Sequence, residues 1–299
     1  MYDIIIVGGG PAGLTAALYA RRQGKTALVI EKSAFGGQTV LSPKIENYPG
    51  FQEMSGNEFA DKLVEQIISQ GADLTVEEVT GIRDGETKTV VTDCGEYDCK
   101  AVIIATGAKH RLLGIENEED FIGNGISFCA VCDGAFYKNK NVLLIGGGNS
   151  ALVEANLLAE TVSSLTIVQN LPFLTGEKAL ADAVTARGNV RVIYSTVVKS
   201  IIGQKSFEGI VIENAETGDI SDLYADGMFV AIGLVPDTDA VKNTADTDKN
   251  GYVVADESCL TGRDGIFVAG DCRTKQIRQI TTACADGAVA ALAACRYIG

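Results

Sequence analysis

Histidine is nearly absent from this chain of 299 residues, which has one, His110, and a single Cys-x-x-Cys pair, Cys129 and Cys132. One histidine argues against a histidine-based catalytic triad or metal cluster. A tetrahedral zinc site needs a second pair of ligands, and the chain has no second Cys-x-x-Cys. We therefore predict no metal site. A zinc half-site and an inert buried pair are the alternatives to a redox-active pair of thiols.

Positive charge is also scarce. The chain has 25 lysines and arginines against 39 acidic residues, a formal charge of −14. Nonspecific nucleic-acid binding depends on basic residues that face phosphates, so we expect no nucleic-acid partner. An acidic protein partner would need a local basic patch, for which the candidates are Lys109, His110 and Arg111, and Arg273, Lys275 and Arg278.

No apolar run predicts a membrane span. Residues 161–176 carry no charge, but they include Ser, Gln, Asn, Pro and Gly, which is not typical of a spanning helix. Met1 leads directly into a strand-like segment without the basic start of a signal peptide, so we predict a cytoplasmic protein. In that reducing compartment we expect free thiols, mostly buried as small hydrophobic residues, at Cys94, Cys99, Cys259, Cys272, Cys284 and Cys295.

The Cys-x-x-Cys pair is the candidate reactive centre. Two thiols at this spacing close a small disulfide, and a nearby charge or helix start lowers one thiol pKa so that a thiolate attacks at neutral pH. Asp133, directly after Cys132, is placed to pass protons to and from that thiolate. The sequence therefore predicts a redox disulfide with an adjacent acid.

The first thirty residues predict a nucleotide-binding unit. A strand over residues 4–7 is followed by a glycine turn, a helix through Tyr19 and a second strand ending at Glu31. Gly8 allows the tight turn, Gly10 lets the backbone approach a pyrophosphate, and Gly13 lets helix and strand pack closely. Glu31 is placed to accept hydrogen bonds from a ribose. Pro11 and Ala12 complete the turn.

A second unit of the same kind begins at Asn141. It has a strand over residues 142–145, the turn 146–151, a helix to about Ala159 and a strand over residues 165–168. Its recognition end lacks Asp, Glu, Lys and Arg, whereas NAD would want an acid there and NADP a base. Gln169 offers only a neutral hydrogen bond. We interpret this repeat as a retained scaffold, with a working nicotinamide site as the alternative.

The remaining segments supply candidate loops and core elements. Residues 35–39 and 46–50 are turn-rich and poor in apolar residues, which predicts loops that close over a ring. Residues 56–71 predict a packing helix, residues 89–92 part of a small meander, and residues 101–108 a buried strand with a glycine turn at Thr106 and Gly107. A strand over 265–271 ends in Asp271, and an Ala-rich helix follows from about 279 to 296.

Together these motifs resemble the low-molecular-weight thioredoxin reductases over essentially the whole chain. The resemblance rests on the first glycine turn, Gly36-Gly37-Gln38, residues 46–50, Cys129 to Asp133, Gly270-Asp271 and Arg278-Gln279-Ile280. It implies an α/β fold of two Rossmann-like, three-layer ββα dinucleotide-binding domains. The FAD-binding domain would comprise residues 1–111 and 242–299, and a redox-disulfide domain resembling an NADPH domain would be inserted at residues 112–241.

The resemblance also implies roles for individual residues. Cys132 would face the flavin of FAD, Cys129 would attack the disulfide of a thioredoxin, and Asp133 would act as acid and base. The family also implies a homodimer. Residues expected to hold FAD are Gly8, Gly10, Pro11, Ala12, Gly13, Glu31, Gly37, Gln38, Asn47, Thr106, Gly107, Gly270, Asp271, Arg278, Gln279 and Ile280.

One departure from the family concerns the electron donor. The arginine-bearing stretch that holds the 2′-phosphate of NADPH is replaced by Val168, Gln169, Asn170, Leu171 and Pro172, and Asn149 stands where the family usually has an acid. This resembles the ferredoxin-dependent branch of flavin thioredoxin reductases, so we expect reduced ferredoxin as donor. The alternatives are an NADPH- or NADH-dependent enzyme and an FAD-containing redox sensor without turnover. The paired cysteines argue against a ferredoxin-NADP reductase.

Overall fold

The computed structural model describes residues 1–42 and 45–299. The chain divides into two units: unit 1 comprises Met1–Lys109 and Val235–Gly299, and unit 2 comprises His110–Leu234. The predicted boundaries lay two and seven residues later along the chain. Each crossing between the units falls within a short strand, Ala108–His110 or Leu234–Pro236, and these two strands pair with each other.

Unit 1 is built from both ends of the chain. Its first segment is a strand, a helix and a strand around the glycine turn, followed by a second helix and a meander. The elements are β1 (Tyr2–Val7), α1 (Pro11–Arg22), β2 (Ala27–Glu31), α2 (Gly56–Ser69), β3 (Asp73–Val76), β4 (Val79–Arg83), β5 (Lys88–Thr92), β6 (Glu96–Ile104) and β7 (Ala108–His110).

Unit 2 repeats the strand, helix, strand arrangement and adds a three-stranded antiparallel sheet. Its elements are β8 (Ile126–Ser127), α3 (Ala130–Asp133), β9 (Asn141–Ile145), α4 (Asn149–Leu158), β10 (Ser164–Val168), α5 (Lys178–Thr185), β11 (Val190–Ile193), β12 (Thr196–Ile202), β13 (Gly209–Asn214), β14 (Ile220–Tyr224), β15 (Gly227–Val230) and β16 (Leu234–Pro236). The chain then returns to unit 1 with β17 (Ile266–Val268) and α6 (Ile280–Ile298).

The sheet of unit 1 runs in the order β3-β2-β1-β6-β5-β4, with β17 also paired to β6. Strands β1, β2, β3, β17 and the second half of β6 are parallel, so their carboxyl ends meet at one edge. Strands β2 and β17, most of β1 and the second half of β6 are apolar runs that are buried on both faces, whereas β3 at the edge of the sheet is partly exposed. The Ala-rich α6 packs on α1 so closely that a Cβ at Gly287 would lie 2.2 Å from the Ala12 carbonyl oxygen.

The main sheet of unit 2 has the parallel order β11-β10-β9-β15-β8. Its strand pair β9 and β10 aligns Ile145 with Val168, and in unit 1 the pair β1 and β2 aligns Val7 with Ile30. Ile145 lies 138 positions after Val7, and Val168 lies 138 positions after Ile30, so the two strand pairs are equivalent. The predicted α/β fold with two dinucleotide-binding units is confirmed.

Three local predictions need correction. Helix α1 extends beyond Tyr19 to Arg22. The predicted strand over 265–271 stops at Val268, and Asp271 lies in a 3-10 turn, Gly270–Cys272. Residues 35–39 are not merely a surface loop, because Thr39 is 6% exposed, Phe35 packs against the core and Gly37–Leu41 forms a 3-10 helix. Within the residues described, no helix is long and apolar enough to cross a membrane.

Candidate functional site

The first glycine turn has two glycines that the fold itself requires. Gly8 has a φ of 112°, and an added Cβ there would lie 2.3 Å from the Ala105 carbonyl oxygen. At Gly13 an added Cβ would lie 1.9 Å from the Gly8 carbonyl oxygen. Gly10 differs, because its nearest neighbour would be 3.9 Å away. The protein leaves open space at Gly10, as the predicted approach of a pyrophosphate needs.

Glu31 ends β2 directly beneath this turn. One of its carboxylate oxygens accepts a 2.7 Å hydrogen bond from the Gly9 N–H, and the other accepts one of 3.1 Å from the Ser33 N–H. The Ser33 hydroxyl also donates to the second oxygen, at 3.4 Å. The carboxylate is thereby fixed in orientation, and the oxygen that faces Gly9 keeps a lone pair for a further donor. This is the position from which an acid binds ribose hydroxyls in a dinucleotide site.

The edge of the sheet beside this turn holds two buried polar atoms without partners. Thr106 follows β6 and Asp271 follows β17, and neither Thr106 Oγ1 nor Asp271 Oδ1 has a hydrogen-bond partner. Burial raises the pKa of Asp271, and the nearby Lys275 and Arg278 oppose that rise. Buried polar atoms are normally satisfied, so these two fit a polar ligand lying across the strand ends.

The predicted residues Asn47, Arg278, Gln279 and Ile280 lie around the start of α6. Asn47 Nδ2 donates a 3.2 Å hydrogen bond to Gln279 Oε1, so the structure brings that predicted pair together. Arg278 stacks over Tyr252 at 4.2 Å and donates to the Asp271 carbonyl oxygen at 3.3 Å. Ile280 packs against a small apolar cluster.

The other predicted cofactor residues lie around the first turn. Gly37 faces Gly10, where an added Cβ would come within 3.1 Å of the Gly10 Cα. Gln38 is exposed on the neighbouring 3-10 helix. Pro11 opens α1, Ala12 contacts Gly270, and Gly107 turns the chain after β6 with a φ of 72°.

The prediction of a basic docking patch at Arg273, Lys275 and Arg278 is wrong for Arg273 and Lys275. Arg273 is 1% exposed and donates two hydrogen bonds to Asp286, of 2.8 and 2.9 Å. Lys275 donates to the same carboxylate at 2.9 Å, which also accepts from the Gly270 N–H at 3.0 Å. These cations neutralise a buried acid and hold the Gly270 turn, so they are not available to an acidic partner.

The second basic group is also largely engaged. Lys109 pairs with Asp237 at 3.3 Å. His110 stacks on Phe128 with ring centroids 4.6 Å apart, and burial lowers its pKa to about 4, so it is uncharged at neutral pH. Arg111 remains exposed.

The two cysteines of unit 2 form a disulfide. Cys129 is bonded to Cys132 with the Cα atoms 5.3 Å apart. Cys129 caps the single-turn helix α3, and its Sγ accepts a hydrogen bond from the Cys132 N–H at 3.2 Å. That N–H remains available to a thiolate on Cys129 once the disulfide opens, and a hydrogen bond to the charged form lowers a thiol pKa.

Asp133 lies beside this disulfide, as predicted. Its Oδ2 accepts a 2.6 Å hydrogen bond from Ser127 Oγ, which in turn accepts one of 3.2 Å from the Cys129 N–H. Its Oδ1 is buried without a partner. Burial raises the pKa of Asp133, and the Ser127 hydrogen bond opposes that rise. Ser127 was not predicted, although it begins the stretch that carries the cysteines.

Glu154 is a second buried acid near the redox helix, and sequence reasoning missed it. It lies on α4, which packs against α3, and burial raises its pKa to about 8, opposed by the Ala130 N–H that donates toward its carboxyl. Its Oε2 has no hydrogen-bond partner. The sequence feature that could have identified Glu154 is the presence of an acid within the apolar stretch of a predicted helix.

The second glycine turn reproduces the first in its backbone but not at the strand end. Gly146 has a φ of 125°, and Gly148, like Gly10, is open. The residue after β10 is Gln169, which is 3% exposed and donates its amide N–H to the Phe173 carbonyl oxygen at 3.0 Å. The nearest cation along the chain, Lys178, pairs with Asp182 at 2.9 Å.

Most of the other cysteines are buried, as expected. Cys94 is exposed and Cys284 is half-buried, which corrects the prediction for these two. Among the residues described, Glu77, Asp93 and Cys94 form a group with metal-ligand spacing. Two of the three are exposed, and Glu77 accepts hydrogen bonds from Thr92 and Tyr97, so the group resembles a hydrogen-bonded acidic surface.

Known proteins resemble this chain over its full length. A family model described as pyridine nucleotide-disulphide oxidoreductase matches residues 2–287. The thioredoxin reductase of Treponema pallidum (strain Nichols) is 41% identical over 300 residues, 99% of this chain and 97% of the relative. A 34.2 kDa protein in the rubredoxin operon of Clostridium pasteurianum is 42% identical over 301 residues, again 99% and 97%. The crystal structure of a thioredoxin reductase from Streptococcus pyogenes MGAS5005 matches with a TM-score of 0.93 and 41% identity, covering 99% of this chain and 98% of that one.

Proposed function

Because this chain belongs to the thioredoxin reductases, within the pyridine nucleotide-disulphide oxidoreductase family, we propose that it reduces the disulfide of a thioredoxin through Cys129 and Cys132. Membership makes it a flavoprotein disulfide oxidoreductase. The single observation that supports our reading of the site is the Cys129–Cys132 disulfide, with the buried carboxyl of Asp133 beside it. The unpartnered atoms of Thr106 and Asp271, together with the open Gly10, support FAD as the flavin.

In the proposed reaction the chain works as a dithiol relay. A bound flavin would supply the electron pair that opens the Cys129–Cys132 disulfide to two thiols. The Cys129 thiolate then attacks the thioredoxin disulfide and forms a mixed disulfide, which Cys132 resolves, so that thioredoxin leaves as a dithiol and Cys129–Cys132 is restored. Asp133 holds and returns the proton at the sulfur.

We further propose reduced ferredoxin as the electron donor. The observation behind it is the neutral, buried Gln169 at the end of β10, with Lys178 already paired to Asp182. The energetics allow it: plant-type ferredoxins lie near about −400 mV and thioredoxin near about −270 mV, so the two-electron reaction is downhill by roughly 6 kcal/mol. Of the candidate docking cations, Arg273 and Lys275 are engaged by Asp286, and the exposed ones are Lys109, which pairs with Asp237, and Arg111.

A nicotinamide nucleotide is the second candidate donor, and the comparisons favour it over ferredoxin. The family is described as pyridine nucleotide-disulphide oxidoreductases, and the relative from Treponema pallidum is named a thioredoxin reductase without reference to ferredoxin. The retained backbone of the second glycine turn also supports it. From the family resemblance we propose a homodimer, and the cytoplasmic location stays a prediction of the sequence.

Anaerobic reduction of the purified flavoprotein with each donor in turn tests the donor. We expect reduced ferredoxin to bleach the flavin and support turnover with thioredoxin, and NADPH and NADH to do neither at physiological concentration. Rapid bleaching by micromolar NADPH or NADH would establish the nicotinamide-dependent alternative. Bleaching without thioredoxin reduction would indicate a redox sensor.

Single-cysteine variants test the thiol roles. Cys129→Ser and Cys132→Ser should each abolish thioredoxin reduction and retain the flavin, because the relay needs both sulfurs. Cys132→Ser should trap thioredoxin as a mixed disulfide, and Cys129→Ser should not. Covalent trapping by Cys129→Ser instead would reverse the two roles.

A further inference from the structure

Ser127 connects the acid of the redox site to the backbone of the first cysteine. Its hydroxyl donates a 2.6 Å hydrogen bond to Asp133 Oδ2 and accepts one of 3.2 Å from the Cys129 N–H. Ser127 is the last residue of β8, where it pairs with Phe229 of β15, and it is only 5% exposed. The reaction proposed above gives this buried hydroxyl no role, although it contacts both the acid and the redox turn.

The direction of the two hydrogen bonds follows from the groups that make them. A backbone N–H can only donate, so the Cys129 N–H occupies a lone pair of Ser127 Oγ. The single hydroxyl proton of Ser127 is then free to donate, and the Asp133 carboxyl is the one acceptor it has among the residues described. A proton on Asp133 Oδ2 would reverse this bond and leave the buried Ser127 proton without an acceptor, which is unfavourable.

The two oxygens of the Asp133 carboxyl are therefore unequal. Oδ2 accepts from Ser127, whereas Oδ1 is buried and has no hydrogen-bond partner in the part of the chain that the structure describes. An exposed carboxyl, in contrast, can bind its proton on either oxygen. In this site a proton on Oδ1 keeps the Ser127 hydrogen bond, and a proton on Oδ2 breaks it.

We propose that Ser127 is a positioning residue that keeps Asp133 Oδ2 as an acceptor and so directs the exchangeable proton of Asp133 to Oδ1. The inference deepens the proposed function and rests on it. The redox turn is held in the same arrangement, because the Cys129 carbonyl oxygen accepts from the N–H groups of Cys132 and Asp133 at 3.2 and 3.0 Å. The acid of the relay thereby presents one defined oxygen.

The elements packed against α3 bring no positive charge to this carboxyl. They are the 3-10 turn Gly134–Tyr137 and α4, whose titratable residues are Tyr137 and Glu154, and α3 itself carries the disulfide-bonded Cys132. Among the described residues, the Ser127 hydroxyl is the one donor to the Asp133 side chain. Removal of this hydroxyl should therefore change the proton affinity of Asp133 directly.

Infrared spectroscopy of the oxidised holoprotein across pH tests this proposal without thioredoxin or an electron donor. The band of the protonated Asp133 carboxyl is identified as the one that is absent from Asp133→Asn. Ser127→Ala removes the hydroxyl, and Ser127→Thr keeps one. Ser164→Ala is the matched control, because Ser164 lies on β10 of the same sheet and donates to Asn141 Oδ1 at 2.7 Å.

We expect two changes in Ser127→Ala. The C=O stretch of protonated Asp133 should move to higher wavenumber, because Oδ2 no longer accepts a hydrogen bond. The pH at which half of the band is lost should rise by about one unit, because a hydrogen bond that stabilises the carboxylate is removed. Ser127→Thr and Ser164→Ala should show neither change. An unchanged wavenumber and midpoint in Ser127→Ala would overturn the proposal.

The parent protein alone covers the case in which Ser127→Ala does not fold. Its Asp133 band should lie where the C=O group of a carboxyl accepts a hydrogen bond, and a band at the position of a free C=O group would contradict the proposal. These infrared results do not depend on turnover, so failure here is distinguishable from failure of the proposed function.

The pH dependence of turnover separates positioning from a merely structural role. In Ser127→Ala, the pH dependence of thioredoxin reduction should be displaced upward by the same amount as the infrared midpoint. A lower rate at every pH with an unchanged pH dependence would show that Ser127 only supports the fold, and would overturn the proposal.

Discussion

The two glycine turns of this molecule have the same backbone conformation. They differ in where acidic residues lie in the unit around each turn. Gly8 and Gly146 have the same left-handed turn, and Gly10 and Gly148 are both open. The strand that follows the first turn ends in Glu31, whereas the strand that follows the second ends in Val168 and is followed by the neutral Gln169. The second unit instead places buried acids, Asp133 and Glu154, beside a disulfide.

The helices that follow the two turns show the same divergence. Position 16 in α1 and position 154 in α4 are equivalent, since they are 138 residues apart like the glycines. Ala16 is fully buried between helices, whereas Glu154 faces the redox helix. We infer that a shared scaffold was kept while its polar groups were assigned to different tasks: nucleotide binding in unit 1 and thiol chemistry in unit 2.

The largest effect that this comparison predicts is loss of FAD from Gly10→Ala. The fold has room for the added Cβ, so the substitution should leave the protein folded and block only the approach of the pyrophosphate. Gly148→Ala is the matched control and should retain FAD. Flavin absorbance after purification and circular dichroism measure the two properties. A yellow Gly10→Ala protein would contradict the assignment of the first turn.

Asp133→Asn should have the next largest effect, on turnover rather than on flavin content. Removing a positioned acid or base slows a reaction by about 10² to 10⁴. Steady-state thioredoxin reduction measures the loss. Ser127→Ala is a comparison variant that keeps the Asp133 carboxyl but removes the hydroxyl that donates to it and that accepts from the Cys129 N–H. Because burial raises the pKa of Asp133, its proton should be retained to a higher pH than that of an exposed aspartate. Unchanged turnover in Asp133→Asn would remove this residue from the mechanism.

The smallest predicted effect comes from exchanging the two strand-end residues. Glu31→Gln loses the charge that would assist hydrogen bonds to the ribose, at roughly 1.5 to 3 kcal/mol of FAD binding. Gln169→Glu should leave FAD binding unchanged. Fluorescence titration of the apoprotein with FAD measures both. Equal effects of the two substitutions would show that the turns do not differ in the way we describe.

Much of this arrangement could be predicted from the sequence, for physical reasons. Glycine spacing indicates the backbone geometry of a turn, and continuous apolar runs indicate buried parallel strands, so both dinucleotide units could be predicted. The position of Asp133 beside the disulfide followed from its place directly after Cys132. Asn47 and Gln279, far apart in the chain, were paired by the family resemblance, and the structure brings them within hydrogen-bond distance.

What sequence reasoning could not predict depends on long-range burial. Arg273 and Lys275 read as surface cations until Asp286, more than ten residues away on α6, is seen to hold both. Glu154 lies in the apolar stretch of a predicted helix, but only the structure shows that α4 packs against α3 at this place. The charges of Arg273 and Lys275 therefore predicted a surface docking patch, whereas in the structure both side chains bind the buried carboxylate of Asp286.

Binding of NADPH and NADH to the oxidised holoprotein by isothermal titration calorimetry tests the central claim most directly, with Gly148→Ala as the matched control. The contrast between Glu31 and Gln169 predicts no saturable heat up to about 1 mM, the upper end of usual KM values. Saturable micromolar binding that Gly148→Ala abolishes would contradict it and show that the second turn is a working nicotinamide site.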